Sequence, residues 1–371
     1  MIDRQDLRGH LPHGVQDLLQ GEAVRRRWAE STLRDLFSRW AYHEVIPPTF
    51  EYDDNLVVGA GSDVRQGMYR FFDREGHTLA LRADFTTQLA RVAATKLFDQ
   101  PLPLRCFYVG SLFRHEEPQV GRQREFTQAG VELIGANTAV ADAEVVALAV
   151  EALEALGLSE FQVNLGQMAV FRALTADLPP DQLERIRQAT DHRNQARLLG
   201  ALDEAGISGA RRDLLARLPE LMGGPDVLDE ARSLGGAVTE AVDALGEVYD
   251  LLRAYGVADR VILDLGEVRG MDYYTGITFR GVAPGLGWPV LSGGRYNDLI
   301  GQFGQPLAAV GFGIGVERAL LVQSRPEVTA PHIAPHLLVR RCSHPECLAQ
   351  IRRFRQAGYR VEMDVLGREG A

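Results

Sequence analysis

Between residues 104 and 135 the chain reads LRCFYVGSLFRHEEPQVGRQREFTQAGVELIG, and its pattern of apolar and polar positions changes twice. Residues 104–113 form an almost unbroken apolar run with aromatics, which predicts a strand buried on both faces. Residues 115–124 carry charge of both signs and include Pro118 and Gly121, which interrupt strands. From 125 to 135 the period is two. Ala129, Val131 and Leu133 share one face, and Phe126, Gln128, Gly130, Glu132 and Ile134 share the other. A Gln and a Glu four residues apart on one face suit the floor of a small polar pocket. They suit equally the solvated face of an edge strand, and the alternation leaves both open.

Upstream, a turn-rich stretch at 11–17 leads into a helix from Glu22 to about Trp40, with Trp28, Leu33, Leu36 and Phe37 on its apolar face. A short strand at 44–46 is stopped by Pro47 and Pro48. Residues 66–82 read as a hairpin turning at 73–76. The run ADFTTQLARVAATKLF then predicts a helix with Leu89, Val92 and Ala93 inward and Asp84 or Thr86 as its N-cap. Capping alone accounts for those two residues, yet a strand-to-helix junction also presents side chains and N–H groups to a ligand.

Downstream, a helix is expected over 141–156 and a strand over 161–165. A nearly all-helical stretch follows from about 169 to 256, broken at Pro179-Pro180, Gly206, Gly209 and 223–225. It carries no constellation suggesting chemistry, and suits an inserted helical subdomain or a dimerisation element. Strands are expected at 261–265 and 273–279, with Arg269 and Gly270 in the turn between them. Gly293-Gly294 permits a tight backbone approach. AAVGFGIGVERALLV predicts a strand running into a helix. Its alternate Gly311, Gly313 and Gly315 would leave a flat floor for a planar ring, or permit close packing. After a proline-rich joint, residues 336–340, 345–356 and 360–364 make one βαβ unit, with Gly358 at the helix end. The expected organisation is a core over 1–325, with the helical insertion at about 169–256, and a small α/β unit over 326–371.

Composition narrows the class. A chain of 371 residues, 46% hydrophobic and 24% charged, without a low-complexity tract, is expected to be a soluble globular protein of two or three domains. No apolar run is long enough to cross a bilayer, so no membrane association is expected, and the charged start MIDRQDLRGH does not resemble a signal peptide. The formal net charge of −10 argues against a surface that grips nucleic acid throughout, although 25–27 and 352–355 are locally arginine-rich. Three cysteines cannot build a disulfide framework, so a cytoplasmic setting is expected. Cys342 and Cys347, with His344 between them, lack a zinc-site spacing, and neither a metal nor a cofactor is expected.

Taken together, these segments resemble the histidyl-tRNA synthetase family over roughly the first 320 residues. FRHEEPQVGRQREFTQAGVE is similar to that family's motif 2, GFGIGVER to its motif 3, VRGMDYYTG to its histidine-specific signature, and GGRYNDL to a further signature. LRADFT resembles the LRPEGT-type segment, with Ala83 in place of Pro and Asp84 in place of Glu. The resemblance implies an α+β, class II aminoacyl-tRNA synthetase-like antiparallel sheet flanked by helices. It also implies a histidine pocket, in which Asp84 and Thr86 meet the α-amino group and Gln128 and Glu132 form one side. Arg269, Tyr273 and Tyr274 close it, the tyrosines against the imidazole. Arg114 borders this pocket and, with Glu116 and Arg318, matches the family's ATP-handling positions, vestigial in a protein without the synthetase reaction. The shorter Asp84 carboxylate retracts the α-amino contact by one methylene.

One branch of that family consists of regulatory subunits of ATP phosphoribosyltransferase, which partner a short-form catalytic subunit in the first step of histidine biosynthesis. LPHGVQDLLQGEA, WAYHEVIPPTFEY and REFTQAGVELIG resemble this branch, as does the single βαβ unit in place of a full anticodon-reading domain. The resemblance implies a non-catalytic, allosteric subunit that activates its partner and takes histidine as feedback effector. A homodimer core within a hetero-oligomer is implied, and tRNA is not expected as a partner, in keeping with the acidic balance. The alternative is a synthetase or synthetase-derived enzyme that activates histidine with ATP.

Overall fold

The computed structural model describes residues 7–117, 121–233, 235–268, 273–323 and 335–366. Its strands, in chain order, are β1 (His43–Glu44), β2 (Phe50–Tyr52), β3 (Arg70–Phe72), β4 (Thr78–Leu81), β5 (Leu104–Phe113), β6 (Glu125–Ile134) and β7 (Gln162–Gln167). They continue with β8 (Met222–Gly223), β9 (Val261–Asp264), β10 (Ile277–Val282), β11 (Leu291–Tyr296), β12 (Ala309–Gly315), β13 (Leu337–Val339) and β14 (Val361–Met363). Nine of them form one sheet in the order β1-β5-β6-β12-β11-β10-β7-β9-β8. Only β1–β5 and β7–β9 pair in parallel; every other neighbouring pair is antiparallel. β2, β4 and β3 make a separate small sheet.

The position of β6 removes one of the two readings of its alternation. It lies between β5 and β12, with Glu132 opposite Cys106 on one side and Gly311 on the other. It is therefore no edge strand, and polar residues at this depth need partners other than bulk water. The two faces then separate cleanly. Val131 lies in register with Phe107 and Phe312, and both of those rings meet Phe37 of the helix Gln20–Arg39, at centroid distances of 5.7 and 6.0 Å. The helix Ala139–Ala155 packs against β6 and β12, and Thr138 caps it by accepting from the Ala141 N–H. On the opposite face, the helix Thr86–Lys96 buries Leu89, Ala90 and Ala93 against Cys106 and Tyr108 of β5.

Three sequence expectations shift. The strand expected at 273–279 runs instead over Ile277–Val282. Tyr273 and Tyr274 have β-forming side chains, but they are held as a wall: the Thr275 N–H donates to Arg295 O (2.8 Å), and Gly276 O accepts from Met168 (2.9 Å). The nominal helix cap near residue 84 is Phe85, with Thr86 as the first helical residue. Asp84 sits one position further out, where the backbone N–H groups of Phe85, Thr86 and Thr87 hydrogen-bond its carboxylate. The helical stretch 169–256 also contributes β8, which extends the main sheet through Met222 opposite Asp264.

The chain divides into two compact units. One holds the described residues of 1–17 and 29–328, the other those of 18–28 and 329–371. In the second unit β13 and β14 pair in parallel and the helix Pro345–Gln356 packs on β14, with Gly358 at φ +89° ending the helical segment.

Candidate functional site

A cavity of about 310 Å³ opens on the face of the sheet that carries Gln128 and Glu132. Asp84, Thr86, Arg114, Gln128, Glu132, Tyr273 and Tyr274 all line it, so residues spread over 190 positions of sequence meet in one space. Arg269 lies outside the described residues. Of the three ATP-type positions, Arg114 and Arg318 line the same cavity. Glu116 instead accepts from Arg122 Nε at 2.5 Å, and the Arg122 guanidinium lies over the Trp288 ring.

Glu132 is the most constrained group in the site. It is 1% exposed; Thr86 Oγ1 donates to its Oε1 (2.8 Å) and the Tyr296 hydroxyl to its Oε2 (2.6 Å). Burial pushes its carboxyl up to about 8, against the pull of those two hydroxyls, and the nearby Asp84 charge adds to the rise. Asp84 is raised for the same first reason, burial, and is held down by the Arg114 charge and the helix-start N–H groups. Asp84 Oδ2 is shut off from solvent and has no hydrogen-bond partner among the described residues. Arg114 is fixed by donating Nε to Ala83 O (2.8 Å), with its guanidinium 5.5 Å from the Phe126 ring centroid.

Glycines give these side chains their room. A Cβ on Gly311 would lie 1.8 Å from Glu132 Oε2, and one on Gly313 2.6 Å from Gln128 Nε2. The alternate glycines of β12 therefore clear space for the carboxylate and carboxamide of β6, which lie across the neighbouring strand. The aromatic wall is Tyr273, edge-on to both Tyr274 (4.9 Å) and Tyr296 (5.4 Å). Burial drives the phenols of Tyr108, Tyr273, Tyr274 and Tyr296 well above their ordinary range, so all four stay neutral hydrogen-bonding groups.

Sequence reasoning missed several lining residues. Tyr108 stacks on Phe85 at 4.3 Å and reaches Gln128 Oε1 (3.3 Å), but its neighbours on the pocket face are fixed only by the β5–β6 register. Tyr296 stands in the quoted GGRYNDL segment without a role. Glu267 is 1% exposed and raised to about 7 by burial; its Oε2 accepts from Arg280 Nε (2.5 Å), while Oε1 has no partner among the described residues. A Glu two residues before Arg269 was the available signal. At the other end, Arg318 donates to Gly121 O (2.8 Å) and Pro289 O (3.0 Å).

Two buried carboxylates, a carboxamide and neutral hydroxyls can hold a cationic, hydrogen-bonding group of amino-acid size, and the aromatic wall can take a flat ring beside it. The fold and cavity place the chain in a known class. The family model for histidyl-tRNA synthetase matches residues 14–319. A protein from Moorella thermoacetica named ATP phosphoribosyltransferase regulatory subunit is 42% identical over 358 residues, covering 95% of this chain and 92% of the relative. One of the same name from Thermoanaerobacter sp. (strain X514) is 42% identical over 316 residues, covering 84% and 82%. The solved structure of an ATP phosphoribosyltransferase regulatory subunit/histidyl-tRNA synthetase from Bacillus halodurans C superposes with a TM-score of 0.87 at 30% identity, covering 99% of this chain and 96% of that one. The chain belongs to the ATP phosphoribosyltransferase regulatory subunit family, a branch built on the histidyl-tRNA synthetase fold. Among the described residues, no helix is long and apolar enough to cross a membrane.

Proposed function

We propose that this chain is a non-catalytic, cytoplasmic regulatory subunit of ATP phosphoribosyltransferase, acting in the first step of histidine biosynthesis. It assembles with a short-form catalytic subunit, permits its activity, and takes histidine in the cavity as a feedback signal. Feedback is then a coupling free energy: histidine favours the arrangement of the complex in which the partner works slowly. The observation that carries the histidine half is Asp84 Oδ2, buried beside Glu132 and without a hydrogen-bond partner among the described residues. A buried carboxylate oxygen left this way costs stability, and an α-ammonium supplies the missing donors. Tyr273 and Tyr274 supply the wall for an imidazole. The partner half rests on the regulatory-subunit relatives.

The test is co-expression with the short catalytic subunit of the same genome, followed by activity assays and histidine titration. Co-purification, activation and histidine-dependent inhibition are expected. Failure to co-purify removes the regulatory assignment; calorimetry showing no histidine binding to the chain or its complex removes the sensing half. One observation favours a second reading: Arg114 and Arg318 both line the cavity, as suits a site that also takes a nucleotide. That reading, a histidine-activating enzyme, requires histidine-dependent ATP–pyrophosphate exchange by the purified chain.

A further inference from the structure

Glu132 faces several titratable or charged groups, and the described hydrogen bonds to it come from neutral hydroxyls. Asp84 approaches from the start of the helix Thr86–Lys96, Cys106 and Tyr108 from β5, and Tyr296 from β11. Tyr273 and Tyr274 close in from the segment before β10, and Glu267 lines the same cavity with its partner Arg280. Arg114 bears on Asp84, and Arg318 stands with it along the cavity wall. Three carboxylates thus line one cavity; described arginines act on Asp84 and Glu267, and none of the described arginines acts on Glu132.

We propose that the cavity holds one proton on the Asp84–Glu132 pair and exchanges it for the ammonium group of its ligand, so that ligand binding releases a proton to solvent. The proposal rests on the histidine reading and specifies the charge state that the site recognises. In the exchange, the O–H bond of the carboxylic acid breaks and the proton leaves to bulk water. The ligand's ammonium keeps its own protons and donates them to the resulting carboxylate, and no other bond changes. Like charges at close quarters leave one member of such a pair protonated. Arg114 and the helix-start N–H groups favour ionised Asp84, so Glu132 keeps the proton, in line with its carboxyl standing near 8. Tyr296 is then a positioning residue: its hydroxyl steadies the ionised form of Glu132 and sets the pH at which the exchange occurs.

The first test needs no ligand. Infrared spectroscopy of the chain at pH 7 is expected to show a protonated-carboxyl stretch that Glu132→Gln lacks; if the two spectra coincide, the proposal falls. The second is calorimetry with histidine at pH 7.5 in buffers of different ionisation enthalpy. The expected result is release approaching one proton per site, fading above about pH 9, and affinity rising up to tenfold per pH unit below about pH 8. Binding with no proton release also overturns the proposal. Tyr296→Phe, which keeps the ring, is expected to move the affinity profile up by up to about one pH unit; a profile that only drops in height assigns Tyr296 a merely structural part. A carboxyl band with no histidine binding at any pH supports the proton-loaded pair and overturns the histidine reading instead.

Discussion

Gly311 of β12 stands directly opposite Glu132 of β6, and a Cβ at that glycine would fall 1.8 Å from Glu132 Oε2 and 2.4 Å from the backbone oxygen of Val131. The carboxylate can lie over β12 only because residue 311 has no side chain. Gly311→Ala is therefore expected to push Glu132 off its hydrogen bonds to Thr86 and Tyr296 and to strain the β6–β12 pairing. The cost expected in a thermal melt is about 1–3 kcal/mol, with histidine affinity falling at least about tenfold. At Gly313 the nearest atom is the mobile end of Gln128, 2.6 Å away, so Gly313→Ala should cost less in both measurements. Equal losses at the two positions would show that the strand tolerates no side chain anywhere, and that Glu132 is not the specific constraint.

The raised carboxyl of Glu132 makes a prediction about stability in the absence of added histidine. Its ordinary value is 4.5 and in the fold it stands near 8, so between those values the folded chain binds more protons than the unfolded chain. Its contribution to stability is fully present below about pH 4.5 and is lost as pH rises through about 8. Glu267, raised to about 7, acts in the same direction over a narrower range. Glu132→Gln removes the penalty of ionising a buried acid, so its melting temperature should exceed that of the parent increasingly from pH 6 to pH 9. A difference between the two proteins that does not change with pH would contradict the assignment.

How far the sequence could be read follows from the same strand. The alternation over 125–134 identifies the pocket face of β6 because sidedness is a property of one strand. The pocket's other walls depend on pairing. Tyr108 and Tyr296 reach the site only through the order β5-β6-β12-β11, which no local pattern encodes. Resemblance of motifs bridged part of that gap, bringing Asp84, Thr86, Tyr273 and Tyr274 to the cavity they line. Local propensity misleads at YYTGITF, which is rich in β-formers, yet the tyrosines belong to the cavity wall and the strand begins at Ile277. β8 is only a Met-Gly pair, too short to leave a periodic trace, and forms because β9 offers it an open edge.

Asp84 gives the most direct test of the ligand contact. Its Oδ2 is buried and has no hydrogen-bond partner among the described residues, as suits an atom that takes a charged donor from a ligand. Asp84→Asn keeps the shape and removes the charge. Loss of one charge-assisted hydrogen bond is worth about 1.5–3 kcal/mol, so histidine should bind about 10- to 150-fold more weakly by calorimetry. An unchanged dissociation constant would place the ammonium elsewhere in the cavity.

The neighbour of Tyr296 provides a prediction on how the pocket is held in place. Arg295 is 4% exposed; its Nε donates to Asp142 Oδ1 (2.9 Å) and its Nη1 to Ala136 O (3.0 Å), tying β11 to the start of the helix Ala139–Ala155. Burial raises the Asp142 carboxyl, and the Arg295 charge opposes that rise. Removing only the arginine strands a buried carboxylate, so Arg295→Ala should destabilise the chain by about 3–5 kcal/mol in denaturant unfolding. Replacing both partners with apolar residues, as in Arg295→Met with Asp142→Leu, removes the desolvation cost together with the attraction and should recover most of that loss. If the double variant is as unstable as Arg295→Ala, the essential bond is the one to Ala136 O, which methionine cannot make. In that case the arginine supports the chain entering the helix, and through it the strand that presents Tyr296 to Glu132.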